Sequence, residues 1–386
     1  MIGWLAFILA IGWFVFLFGE RFLLARARAR VPVVIHVNGT RGKSETTRLI
    51  AAALRASGIR TLAKTTGTEP RLILPDGNEI RLRRRGAADV REQRWLLFEA
   101  RRLGAKALVA ECMAVRADAQ YASDAFLSPS ILAVTNVRAD HRLELGDVAT
   151  TMEVFSRGIP VGGQVLTSDP AVAKAFAGPA AAAGAELMLT VPLEGSSAVV
   201  PDNAGLALAV ARAVGASNEA SIVAMRNFLP DPGAFSIRRL PTRDGGELTI
   251  LNALAANDVA STEALIGPAG WRPASPRSEG DAPSARRVLL IACRADRPDR
   301  SQAFARWAAA NAANWDEVLL SGFPSLASWL CLRSALPPGP GHQRVRHVAR
   351  RQLSDRLATL AGGSIVVAVG NWKGVGPLLA EGSHEF

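Results

Sequence analysis

Apolar and polar positions along this chain fall into three kinds of stretch. The first is a run without a charge from Ile2 to Gly19, with Trp4, Trp13 and several phenylalanines spread through it. Glu20-Arg21 interrupts the run, Phe22-Leu23-Leu24 resumes it, and Arg26, Arg28 and Arg30 follow. Eighteen to twenty-odd apolar residues, about the number here, are enough to span a bilayer as a helix. The basic start and small-residue cleavage site of a signal peptide are not evident. Arginines directly beyond the run place that end on the cytoplasmic side. The expectation is a transmembrane anchor over 1–24, with the rest of the chain in the cytoplasm.

The second kind is a short, β-branched apolar run that ends in polar residues. Val33-Val34-Ile35 and Val37, Thr61-Leu62-Ala63, Leu108-Val109-Ala110 and Ile131 to Val134 are of this kind. The third is a helical pattern between such runs, as where Leu49, Ile50, Ala53 and Leu54 share one face before Gly58 stops it. Buried strands alternating with helices predict an α/β fold with a parallel sheet, its ligands held beyond the C-terminal ends of the strands. Ala171 to Ala185 and Asn203 to Val214 read as alanine-rich helices. Pro230-Asp231-Pro232-Gly233 breaks any continuing element and is the predicted boundary between a domain over 31–230 and one over 231–386. In the second, Leu248 to Leu251, Val288 to Ala292 and Ile365 to Val369 each run into a polar loop, predicting a smaller Rossmann-like α/β domain. Arg272 to Arg286 is polar and proline-rich, and is expected to be a mobile loop.

The chemistry is densest after the first buried strand. Gly39-Thr40-Arg41-Gly42-Lys43-Ser44 lies between that strand and a helix, which is what a phosphate cradle requires. Glycines let backbone N–H groups close around an anion, and the helix N-terminus adds its positive end. Lys43 can reach the β/γ-phosphates and the Ser44 hydroxyl can sit on Mg²⁺, so ATP is the expected ligand. Glu111, ending another buried strand, is a second candidate Mg²⁺ ligand beside Ser44. Thr65-Thr66-Gly67-Thr68 reads either as an ordinary turn or as a second loop near the triphosphate. Asp140-His141 follows a strand end, where the histidine can meet metal or phosphate.

Composition narrows the partners. The 386 residues carry a formal charge of +11, suiting nucleic acid, an anionic membrane surface or an acidic substrate. Aromatic residues are few beyond the N-terminal run and there is one tyrosine, so base stacking has little to work with and nucleic acid is disfavoured. Cys112, Cys293 and Cys331 have neither a zinc spacing nor a disulfide framework. Arg81 to Arg94 holds six arginines against two acids, either a solvated face or a strip that guides a polyanion.

The loop lacks the first glycine of the common P-loop, Val37 standing there, and this compact form resembles the Mur ligase family, which joins a carboxylate to an amine. Within it, HVNGTRGKSETTRLI resembles the ligase subunits of poly-γ-glutamate synthases (PgsB/CapB). NVRADH from Asn136 to His141, the segments around Arg85-Gly86-Ala87 and Glu92-Gln93, NALAAND to Asp258, RADR to Arg297 and GNWKGVG to Gly376 are similar to that subfamily too. The resemblance implies a Mur-ligase-type P-loop ATPase domain and a C-terminal ligase domain, with catalytic roles for Lys43, Glu111 and His141. It further implies ATP contacts by Thr66, Asn257, Asp258 and Arg297, and a second Mg²⁺ on His141. Many Mur ligases carry a carbamylated lysine some fifteen residues after that histidine; here Ser156 stands near the place. The implied reaction extends poly-γ-glutamate through an acyl phosphate, with glutamate and the polymer as substrates and small membrane subunits as partners. A membrane-tethered P-loop ATPase and a folylpolyglutamate-synthase-like ligase stand as alternatives.

Overall fold

The computed structural model describes residues 2–67, 69–84, 89–138, 147–194, 200–256, 258–269, 271, 285–338 and 344–381. The chain divides into two compact units, Met1–Asp231 and Pro232–Phe386.

The first unit opens with α1 (Ile2–Arg28), β1 (Val33–Asn38), α2 (Lys43–Ala56) and β2 (Thr61–Thr65). It continues through β3 (Arg71–Ile73), β4 (Glu79–Arg81), α3 (Arg91–Arg102), β5 (Ala107–Glu111), α4 (Ala117–Leu127) and β6 (Ile131–Val134). It closes with α5 (Val148–Ser156), β7 (Gln164–Thr167), α6 (Pro170–Ala182), β8 (Glu186–Leu189), α7 (Pro201–Ala213) and α8 (Asn218–Arg226). The strands form one sheet in the order β4-β3-β2-β5-β1-β6-β7-β8. β1 lies parallel between β5 and β6, with Val37 beside Glu111 and Asn38 beside Val134. From β1 the chain moves one way to β2, and from β5 it crosses back to β6. The strand order therefore reverses around β1, which is where an open α/β sheet leaves a crevice for ligand.

Both faces of this sheet are covered, which is why its strands read as unbroken apolar runs. Successive side chains point to opposite faces. Ile35 and Val37 pack with Leu49, Ile50 and Leu54 of α2 and with Leu206 and Val210 of α7. Val34 turns the other way, onto Leu62, Leu108 and α3's Leu96 and Leu97. Leu132, Val134, Val165 and Phe176 continue the second layer.

The transmembrane helix expected over 1–24 is not supported, because no helix among the described residues is long and apolar enough to cross a membrane. The apolar run does form one helix, but α1 continues through Glu20 and Arg21 to Arg26 and Arg28. Its C-terminal end is packed onto the body: Ala27 is fully buried there, and Glu20 pairs with Arg94 of α3.

The second unit comprises β9 (Ser236–Pro241), β10 (Glu247–Asn252), α9 (Val259–Ile266), β11 (Arg287–Cys293), α10 (Pro298–Ala310) and β12 (Glu317–Gly322). α11 (Leu326–Ala335), β13 (Val345–His347), α12 (Arg350–Ala358), β14 (Ile365–Gly370) and α13 (Trp372–Glu381) complete it. Its sheet runs β13-β12-β11-β14-β10-β9, parallel except for β9. That strand gives no apolar run because it is an edge strand, with Arg238 and Arg239 in its middle. Most of the segment expected to be a loop, 272–284, lies outside the described residues.

Candidate active site

The phosphate loop is built by what surrounds it. Gly39 has φ 130°, and a Cβ there would lie 2.1 Å from Thr135 Oγ1. Gly42, at φ 81°, caps α2 in the left-handed region, where a Cβ would lie 2.6 Å from the Asn203 amide. Both positions demand glycine on two counts, backbone conformation and space. Between them the turn is clamped from β6. Asn136 Oδ1 accepts from Thr40 Oγ1 at 2.8 Å and from the Arg41 N–H at 3.2 Å, while Asn136 Nδ2 donates to Arg41 O at 3.2 Å. Thr135 Oγ1 donates to the same Arg41 carbonyl at 2.5 Å. Asn38 Oδ1 accepts from the Gly39 N–H at 2.8 Å, and its amide donates to Gln120 Oε1 at 3.0 Å. From α7, Asn203 donates to Glu45 Oε2 at 2.7 Å, holding the first turn of α2.

Beyond the loop, Ser44 Oγ lies 3.0 and 2.9 Å from the two oxygens of Glu111. The Thr66 N–H donates to Glu111 Oε2 at 2.6 Å, and Lys43 Nζ donates to Gly39 O at 2.6 Å. Glu111 is 3% exposed. Burial pushes its carboxyl above the usual carboxylate range, against the opposing pull of the Lys43 ammonium and the Thr66 and Ser44 donors. A buried carboxylate met by neutral donors and the field of Lys43 holds negative charge for which a cation is the natural complement.

The donors present fit a hard divalent cation. Ser44 and Glu111 supply a hydroxyl and a carboxylate, and Ser44 is half-buried, so a ligand can approach from its side. Among the described residues there is no cluster of three His, Cys, Asp or Glu suited to a metal. Mg²⁺ does not need one, since it is commonly held by one or two carboxylates together with substrate phosphates and water.

Behind the site runs a second tier of buried charge. His36 of β1 is fully buried, with Nδ1 2.6 Å from Asp124 Oδ1. Burial opposes charge on the ring, but Cys112 and Asp124 outweigh it and raise its pKa to about 10. Lys64 of β2, also fully buried, pairs with Glu92 at 3.0 Å, and Glu92 takes Arg84 at 2.7 and 3.0 Å. Burial lowers the Lys64 pKa while Glu92 supports its charge. Next to Glu92, Gln93 Nε2 donates to the Glu111 main-chain oxygen at 3.3 Å.

Over 371 residues the chain is 30% identical to the PGA synthase CapB of Bacillus subtilis (strain 168), across 92% of this chain and 91% of that protein. The chain belongs to the CapB family. It is also 32% identical over 291 residues to the capsule biosynthesis protein CapB of Bacillus anthracis, covering 72% of this chain and 60% of that one. Residues 237–385 match the family described as the poly-gamma-glutamate synthase CapB C-terminal domain. In fold the chain is similar to the bifunctional folylpolyglutamate synthase/dihydrofolate synthase from Yersinia pestis c092, solved with AMPPNP and a Mn ion. That match has a TM-score of 0.63 at 16% identity and covers 94% of this chain and 92% of the other.

Among the site residues expected from this CapB-family sequence, Gly39 to Ser44, Thr66 and Glu111 come together at the C-terminal ends of β1, β2 and β5. Asp258 lies in the second unit, where its carboxylate caps α9 by accepting from the Ser261 N–H at 2.7 Å. Arg297 is exposed at the start of α10, and its neighbour Asp296 pairs with Arg294 instead. His141 and Asn257 lie outside the described residues, as do Asp140 and Arg85. Sequence reasoning missed Asn203, Thr135, Gln120 and the Lys64–Glu92 pair. Asn203 stands in the first turn of an alanine-rich helix, where a lone asparagine reads as a helix-end residue. A lysine inside a buried strand was the one available signal for Lys64.

Proposed function

We propose that this CapB-family chain is an ATP-dependent carboxylate–amine ligase that adds glutamate to a poly-γ-glutamate chain. The observation that carries it is the Ser44–Glu111 contact at 2.9–3.0 Å beside the glycine-rich loop, in a chain of this family. The N–H groups of the loop and the Lys43 ammonium would hold the β/γ-phosphates of ATP. Ser44 and Glu111 would hold Mg²⁺, which when bound neutralises charge on the phosphates. A carboxylate of the growing chain attacks the γ-phosphorus, ADP leaves, and an acyl phosphate forms. The incoming amine then attacks the acyl carbon, phosphate departs, and the amide nitrogen loses its proton. Both steps rest on positioning and charge neutralisation, so no serine or cysteine nucleophile is required.

Purified protein with ATP, Mg²⁺, glutamate and a short γ-glutamate acceptor should release ADP only with both co-substrates and lengthen the acceptor. Phosphate release indifferent to glutamate would instead favour a P-loop ATPase that energises a partner.

The same reading assigns the chain to the cell membrane with its catalytic units on the cytoplasmic side, among small membrane subunits. Its support is the apolar girth of α1, where Trp4, Trp13, Phe14 and Phe18 are 73%, 63%, 64% and 72% exposed. Side chains so apolar favour lipid or a lipid-embedded partner over water. Replacing Trp13 and Phe16 by glutamate should abolish co-flotation with anionic vesicles. Arg81 and Arg83, exposed where β4 ends, are assigned to steering the polyanionic acceptor.

A further inference from the structure

A second acidic residue reaches the Ser44–Glu111 site from the far end of the first unit. A Cβ built on Gly67 would lie 2.6 Å from Ser44 Oγ and 2.8 Å from Asp231 Oδ2. The serine hydroxyl and the Asp231 carboxylate therefore flank one small space, kept clear because residue 67 has no side chain. Asp231 Oδ2 is withdrawn from solvent. Its approach is enforced by the chain around it. Pro230 and Pro232 restrict the backbone on either side, and Arg48 of α2, one turn beyond Ser44, donates to Leu229 O at 3.1 Å. The same guanidinium is 2% exposed and is gripped by both oxygens of Glu79, so it is a fixed peg.

Glu111 contacts the Ser44 hydroxyl and Asp231 borders the same hydroxyl across the space at Gly67, so two carboxylates approach one oxygen, a setting that favours a cation there. Lys43 donates to Gly39 O while its field still acts on Glu111. Taking Ser44 and Glu111 as the cation's protein ligands, as proposed above, we infer that Asp231 is a positioning residue of the divalent-cation site. It would hold waters of the ion across the space that Gly67 leaves beside Ser44. Mg²⁺ keeps several waters when bound, so a carboxylate one water away from the ion suits it. Outer-shell partners of this kind commonly change metal affinity about 10–100-fold.

The test is Mn²⁺ binding to the full-length protein with ADP present, followed by electron paramagnetic resonance. ADP affinity in EDTA and the melting temperature are measured alongside. Glu111→Gln should abolish nucleotide-dependent Mn²⁺ binding; if it does not, the reading of Ser44 and Glu111 fails, and the role of Asp231 with it. With that control in place, Asp231→Asn should weaken Mn²⁺ binding about tenfold. Metal-free ADP affinity and melting temperature should stay as in the parent, and Asp231→Glu should recover part of the loss. Gly67→Ala, which fills the space between the two oxygens, should weaken Mn²⁺ binding independently of any change at residue 231. Unchanged Mn²⁺ affinity in Asp231→Asn, or an equal loss of metal-free ADP binding, would overturn the inference and leave Asp231 a structural residue of the linker.

Discussion

Two glutamates in this molecule are almost equally buried and are set up in opposite ways. Glu111 ends β5 in the first unit and is 3% exposed; Glu317 begins β12 in the second and is 1% exposed. Around Glu317 the chain gathers three guanidinium groups. Arg356 is in direct contact, Arg346 Nε is 3.3 Å away and Arg286 Nη1 is 3.8 Å away. Glu111 receives a hydroxyl, a backbone N–H and the field of the Lys43 ammonium. The carboxylate of Glu317 is neutralised where it stands, whereas that of Glu111 meets, among the described residues, one ammonium field and neutral donors. Depth of burial does not mark a site. What marks it is a carboxylate that the described residues compensate less fully than they do Glu317.

That contrast can be broken in several ways, the largest effect first. Lys43→Ala removes the ammonium that the phosphate loop directs into the field of Glu111, and should cut ligation about 10³-fold, read as kcat/KM for ATP. Glu111→Gln should cost about 10²-fold in activity while leaving the metal-free protein as stable as before or slightly more so, by thermal melting. Glu317→Gln should do the reverse. It strands partly exposed arginines, lowers stability by about 2 kcal/mol and leaves activity per folded molecule unchanged. A Glu317→Gln protein that melts normally but is inactive would end the comparison.

A smaller, pH-dependent effect comes from the buried His36–Asp124 pair. The ring's pKa is about 10 in the folded chain against 6.5 for a free side chain. The folded form therefore holds the proton more tightly. The pair's stabilisation is complete below pH 6.5 and is lost as pH rises toward 10. Urea midpoints should fall between pH 6.5 and 10 in the parent, and Asp124→Asn should flatten that fall. The smallest change is expected from Arg81→Gln with Arg83→Gln, a few-fold rise in KM for the acceptor, vanishing at high salt.

What could be read in advance follows from how each feature is encoded. The loop from Gly39 to Ser44 and the buried strands β1, β2, β5, β6, β10, β11 and β14 were legible because strand, glycine turn and helix are local signals, whereas the other strands of the two sheets were not read in advance. Glu111 was legible as well, because a carboxylate closing a buried apolar run is costly to keep unless something there needs its charge. Asn203 and Asp231 were not, since each matters through a neighbour distant in sequence, at Gly42 and at Gly67. Asp231 lay in a segment read only as a chain break, which its two flanking prolines account for equally well. Glu92 was noted only as part of a family-like segment, and its pairing with Lys64 was passed over because a buried lysine acquires meaning only with its partner in place. The N-terminal run was legible as a helix; its end could not be read, because contacts with Arg94 and the apolar core decide where α1 meets the body.

Asn203 touches Glu45 across 158 residues of chain, and fills the space beside Gly42 that any other side chain would occupy. A nascent chain emerging from the ribosome thus displays the complete nucleotide motif long before α7 exists to close around it. Nucleotide can reward only the nearly finished first unit. A fragment that stops short of Pro201 would carry the motif without the grip.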